Sequence, residues 1–324
     1  MRMLRVELSR FFSRRAVALL LIAAALLTAL IAGTTIWNTR PVSAGDRTAA
    51  QAQVDEQVRQ PEFQQEIERC RENPEDYFGP DSGVDDCERA LTPRAEWYLG
   101  RAELSLDQER GNSGIGVIVL VTALMIIVGT TYAGADWASG SMSNQLLFEP
   151  RRLRVWAGKA MAATVGCLLV SAVIVAGYWL ALYLVADSRG IATGSGVQEQ
   201  IRWMAARGVA LAGLAGLGVY ALTMLLRHTV ATLAVLFAYA AGGEALLAAL
   251  PVDRSARWSP ASNVFAWIRD GIKVYDETIV CPPGRGACEQ TFTLTLVQGA
   301  TYLGVLLVLT LLVSSLMFRR RDIP

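Results

Sequence analysis

Between Ala135 and Lys159 the chain reads A-D-W-A-S-G-S-M-S-N-Q-L-L-F-E-P-R-R-L-R-V-W-A-G-K, a polar and charged stretch set between two long apolar runs. Residues of these types suit docking rather than bond-making. Met142, Leu146 and Leu147 offer apolar contact on a short helix expected over 139–148, while Arg151, Arg152 and Arg154 suit lipid phosphates or acidic groups on a partner. Bond-making chemistry is poorly provided for. The chain holds one histidine, His228, beside Arg227 in a short polar turn, which rules out the usual zinc motifs. No base stands near Ser139 or Ser141 to make either a nucleophile. The phosphate-cradling pattern Gly-x-x-x-x-Gly-Lys-Ser/Thr is absent, since Gly158-Lys159-Ala160 lacks both the preceding glycine and the hydroxyl. Neither catalysis, a metal nor a cofactor is expected within this chain.

Two other groups of residues carry chemistry. Glu244 stands in Y-A-A-G-G-E-A inside an apolar run, where an ionised carboxylate must face protein, a water-filled cavity or a partner. It is a candidate for a translocation pathway and equally for a structural pairing. Four of the five cysteines, Cys70, Cys87, Cys281 and Cys288, fall between apolar runs, whereas Cys167 falls inside one. Local bridges Cys70–Cys87 and Cys281–Cys288 are the simplest of the three possible pairings.

These residues need elements to position them. Apolar residues make up 53% of the chain, more than a water-soluble core of this size would bury. A membrane-crossing helix needs roughly 20 mainly apolar residues, and six segments qualify, at 16–37, 114–135, 155–186, 208–226, 229–250 and 295–318. Residues 1–15 set Leu4, Leu8, Phe11 and Phe12 on one helical face, with Arg5, Arg10 and Arg14 elsewhere, as in a helix lying in the membrane interface. The alternative is a basic tail that only sets orientation. The fold class expected is an all-α integral membrane protein with six transmembrane helices, this N-terminal amphipathic helix, and a small helical extracytoplasmic insert at 38–113.

Charge fixes the orientation. Arg and Lys concentrate in 1–15, 136–159, at Arg227 and in the 319–324 tail, whereas 38–113 carries nine bases against seventeen acids. By the positive-inside rule both termini face the cytoplasm, and the cysteines outside the spans then fall in an oxidising compartment that favours disulfides. Arg202 and Arg207, in the outer loop at 187–207, run against the rule. In the insert, Pro61 ends a helix begun near Thr48, Asn73-Pro74 and 78–83 read as loops, and Thr92-Pro93 reads as a helix start. The stretch 251–294 is too polar to span and carries apolar patches at Val264, Phe265, Trp267 and Ile268, so an interfacial or re-entrant course is expected there.

The order Asp136, Gly140, Ser141, Leu146, Leu147, Pro150, Arg151, Arg152, Lys159 resembles the permease subunits of the ATP-binding-cassette type-2 transporter family, with Ser141 where threonine is usual. The resemblance implies that 136–154 is the coupling loop, with Asp136, Gly140, Ser141, Met142, Leu146, Leu147, Pro150, Arg151 and Arg152 meeting an ATPase subunit. It further implies two copies of that ATPase, which hold ATP and Mg, a second permease half of identical or homologous sequence, contact with membrane lipids, and no nucleic acid. The segment at 1–15 would lie beside the ATPase, and 251–294 would dip into the outer leaflet. The expected activity is export of an amphipathic or hydrophobic substrate such as a drug, peptide or lipid-like molecule. Arginine supplies 28 of the 30 basic residues, which suggests a GC-rich bacterial genome and a multi-pass protein of the bacterial inner membrane. An ATP-independent secondary transporter or channel, and a non-transporting membrane sensor or scaffold, are the alternatives.

Overall fold

A computed structural model describes residues 2–79, 82–100, 103–249, 254–275 and 290–320. In chain order, α1 (Arg2–Ser13) is followed by the long apolar α2 (Arg15–Asn38), then by α3 (Ala44–Arg59), α4 (Pro61–Glu72), α5 (Pro74–Phe78), α6 (Val84–Leu91) and α7 (Ala95–Tyr98). Next come α8 (Leu106–Gly111), α9 (Ser113–Ala138), the short α10 (Ser141–Phe148), α11 (Arg152–Ser188) and α12 (Ser195–Leu226). Helix α13 (Thr229–Phe237) passes through a π-helical turn (Ala238–Gly242) into α14 (Gly243–Ala249). After α15 (Pro260–Arg269), strands β1 (Ile272–Tyr275) and β2 (Thr291–Leu294) pair antiparallel, with Ile272 opposite Leu294, and α16 (Leu296–Arg320) follows.

The described chain is all-α apart from that hairpin, and six of its helices are long and apolar enough to cross a membrane. Helix is the form such segments must take, because in hydrocarbon every backbone N–H and C=O has to be satisfied within the segment. Two compact units result, one of residues 1–32, 106–184 and 192–324, the other of 33–105 and 185–191. In the first, α9 and α12 pack most extensively, and glycines allow the closeness: a Cβ on Gly129 would sit 2.8 Å from the Gly216 carbonyl oxygen. In the second, Ser43 and Asp46 form a capping box at the start of α3, and Pro61 occupies the first turn of α4. Cys70 of α4 and Cys87 of α6 form the expected disulfide, with Cα atoms 5.8 Å apart. The other expected bridge, Cys281–Cys288, lies outside the described residues.

Several boundaries differ from expectation, each for a local reason. Helix α12 begins at Ser195, well inside the expected 187–207 loop. Its early turns keep an apolar stripe, with Ile201, Met204 and Gly208 buried, while Arg207 pairs with Asp270 at 3.3 Å. The fifth span carries a π turn over A-Y-A-A-G, which ends at Gly242 beside Gly243, residues that favour helix weakly. Residues 251–294 hold α15 and also the unexpected hairpin, whose sequences I-K-V-Y and T-F-T-L are rich in the β-branched and aromatic residues strands favour. Pro74 starts the one-turn α5 in place of a loop, and Thr92 ends α6 while α7 starts at Ala95, so the expected Thr92-Pro93 start is replaced by a helix end. His228 is the N-cap of α13, its Nδ1 accepting from the Ala231 amide at 3.3 Å.

Candidate functional site

The segment 136–159 folds as the end of α9, a tight turn, α10, a second turn and the start of α11. Gly140 makes the first turn with φ +69°, left-handed backbone in which other residues are strained. The turn brings Ser141 back onto the helix just left, where its Oγ donates to Asp136 Oδ1 at 2.7 Å. Pro150 opens the second turn, where Arg152 and Arg154 donate their backbone amides to the Pro150 and Arg151 carbonyls at 2.9 Å.

Lys159, two turns inside α11, then meets two carboxylates. Its Nζ lies 2.7 Å from Asp136 Oδ2 and 3.0 Å from Glu7 Oε2, and both Lys159 and Glu7 are only 1% exposed. Glu7 also accepts from the Tyr132 hydroxyl at 2.9 Å, from Gln145 Nε2 of α10 at 2.9 Å and from Arg10 at 3.0 Å. Arg14 donates to Asp136 and to the Tyr132 carbonyl. Burial would raise the Glu7 carboxyl, but the Lys159 ammonium, with the Tyr132 and Gln145 hydrogen bonds, outweighs it and holds Glu7 below its ordinary value. The glutamate is therefore ionised at neutral pH, and its charge is met within the chain.

Helix α1 is seated on this cluster by shape as well as charge. Phe11 is fully buried, edge-on to Tyr132 with ring centroids 5.2 Å apart. Gly166 and Gly158 of α11 leave the room that Phe11 and Met3 fill, since a Cβ at either glycine would crowd those side chains. Phe12, placed on the same face by the sequence reading, is 43% exposed. The last helix ends close by, with Phe318 edge-on to Trp137, so α1 and the end of α16 share one end of the bundle.

The expected docking residues divide. Asp136 and Ser141 are consumed in the cluster, and Met142 is fully buried within the chain, so none of the three is free to face a partner. Leu146 is half-buried, while Leu147 is 80% exposed and Phe148, which the motif does not include, is 91% exposed. Pro150, Arg151 and Arg154 are exposed beside them, Arg152 half-buried, and Arg154 reaches Glu149 at 3.4 Å. Short α10 thus has an anchored base and an apolar tip.

Glu244 lies elsewhere. It accepts from Ser259 Oγ at 2.6 Å and from the Ala261 amide at 3.0 Å, bonding the first turn of α15. Glu244 does not line the apolar cavity between α9, α12, α13 and α16. Among the described residues no group of histidine, cysteine and acidic side chains could hold a metal ion. No protein-family model matches the chain, and neither a curated protein nor a solved structure does.

Glu7, Arg14, Tyr132 and Gln145 fall outside the motif, yet Glu7 had a readable signal. Leu4, Glu7, Leu8 and Phe11 follow the i, i+3, i+4, i+7 spacing of one helical face. A lone acid on the apolar face of an otherwise basic helix requires a buried partner. Tyr132 and Asp136, four apart at the end of an apolar run, share a face in the same way.

Proposed function

We propose that this chain is the membrane-spanning permease subunit of an ATP-driven ATP-binding-cassette transporter, exporting an amphipathic or hydrophobic substrate, with α10 as the element that receives the motion of a separate ATPase. The observation that carries the reading is the division of α10. Ser141, Met142 and Gln145 tie its base to α9 and α1, whereas Leu147 and Phe148 at its tip point away from the chain's own core. A helix that must transmit a push needs both properties: an apolar end to enter a partner's groove, and a rigid base so that movement reaches the spans rather than being lost in the loop. The flanking Arg151 and Arg154 suit acidic groups on the ATPase or lipid phosphates.

On this reading the protein sits in a bacterial inner membrane with both termini cytoplasmic. It pairs with a second half of identical or homologous sequence and engages two ATPase subunits, which hold ATP and Mg. The ATP-independent transporter requires ionisable groups along a pathway, and the bonds Glu244 makes to α15 offer it no support. The test is to replace Leu147 and Phe148 with aspartate. Both lie on the surface, so the variant should insert and fold as before, while two carboxylates forced into an apolar groove without partners cost several kcal/mol, roughly 1–3 each at the least. Co-purification of the ATPase should fall to background, and Arg154→Gln should weaken it less. Full retention of the ATPase and of transport by the double variant would sink the proposal.

A further inference from the structure

An apolar cavity of about 540 Å³ lies between α9, α12, α13 and α16, with Val264 and Trp267 of α15 at one end. That volume is in the range of small-molecule sites. Along α16 its lining runs from Ala300 to Thr310, about 15 Å at 1.5 Å per residue, so an elongated molecule fits best. Among the described residues no acidic or basic side chain lines it, and a charged ligand among them would meet no counter-ion.

The lining carries hydrogen-bonding groups of a particular kind. Thr122 is among the lining residues, with its Oγ1 itself buried. Tyr239 stands in the π turn, an irregularity found often at functional sites. Its hydroxyl meets that of Tyr302, and Tyr302 donates onward to the Trp258 carbonyl at 3.0 Å. With the Tyr302 proton so engaged, Tyr239 is the donor between the two hydroxyls, and its oxygen keeps acceptor capacity for a third group. Tyr239 therefore brings one acceptor to the cavity lining.

We propose that this cavity is an intramembrane binding site for a neutral single-chain amphiphile, a long hydrocarbon bearing a hydroxyl that is accepted at Tyr239. The proposal goes beyond the ATPase-coupled reading and does not rest on it, because binding is measured on this chain alone. A bilayer phospholipid is the wrong chemistry, since its phosphate would find no cation among the described lining residues.

The purified chain in phosphatidylcholine nanodiscs is irradiated with a diazirine-bearing long-chain alcohol, and the labelled peptides are mapped. Saturable labelling is expected in 211–222 and 300–310, competed by unlabelled long-chain alcohol and not by a quaternary ammonium of equal length. Gly304 lines the cavity, and a Cβ there meets nothing within 4 Å, so Gly304→Phe fills the space and should abolish the labelling. Tyr239→Phe keeps the shape and should reduce competition by the alcohol to that of the matching alkane, which decides the matter even where Gly304→Phe fails to insert. Labelling that does not saturate, or that persists unchanged in both variants, overturns the proposal. Equal labelling from a phospholipid with the diazirine in its acyl chain also overturns it, and makes the groove ordinary lipid-facing surface.

Discussion

Lys159 balances two buried carboxylates, which sets up an asymmetry among substitutions at the cluster. Removing one member of a buried ion pair strands the other, a loss of about 3–5 kcal/mol, whereas removing charges of both signs together can be nearly neutral. Lys159→Met should therefore lower the thermal stability of the detergent-solubilised chain sharply. Adding Glu7→Gln should restore much of it, because Asp136 keeps Arg14 and the carboxamide introduced in place of the glutamate can still accept from Tyr132. Additive losses from Lys159→Met and Glu7→Gln in the double variant would show that the two charges do not interact. The pH dependence has a defined sign as well. A carboxyl held below its unfolded value, which is roughly 4.3, contributes fully above that value and loses its contribution as pH falls through the lower folded one. Stability should be flat from neutrality to about pH 5 and fall only in stronger acid. Melting curves across that range should show the acid limb flattened in Glu7→Gln.

At the scale of elements, close approach of helices is as decisive as charge. At Gly129 a Cβ would be 2.8 Å from the Gly216 carbonyl oxygen and 2.7 Å from Val219 Cγ2. The first of these is backbone and cannot swing aside, so Gly129→Ala must separate α9 from α12 and should cost about 1–3 kcal/mol, the usual range for overpacking. Gly304→Ala, on open space, is the control, and a comparison of the two melting temperatures is the check. The sequence made the spans legible because their apolar runs exceed any soluble requirement, and Pro61 and the Cys70–Cys87 pair were legible because each acts locally. The ends of elements were not. Arg207 reads as a barrier to a span until Asp270, far along the chain, is seen beside it, and Asp136 reads as a docking residue until Glu7 and Lys159 are found around it. In both places a charge is met by a partner distant in sequence, which no local pattern records. The hairpin strands were marked by their composition and were obscured by the polar stretch that separates them.

For the whole molecule, the question of orientation joins the site to the disulfide. Helix α2, at 24 residues, reaches about 36 Å at 1.5 Å per residue, which exceeds the ~30 Å hydrocarbon core. On the topology proposed from charge, the residues before it and the residues after it lie in different compartments. Basic residues gather before it and around α10, acidic ones in 38–113, and the bridged Cys70 and Cys87 require an oxidising environment. That topology predicts Arg151 on the cytoplasmic side and Ser82 outside. Single cysteines at Ser82 and at Arg151, placed in a chain whose Cys281 and Cys288 are replaced by serine, separate the outcomes. Buried Cys167 stays unreactive and the bridged pair has no free thiol. A membrane-impermeant maleimide applied to intact cells should label Ser82→Cys and spare Arg151→Cys until the membrane is opened. Reducing the bridge should then expose Cys70 and Cys87 to the same reagent from outside. Labelling of Arg151→Cys in intact cells would invert the orientation, place α10 on the face where no ATP is held, and remove the ATPase-coupled function with it.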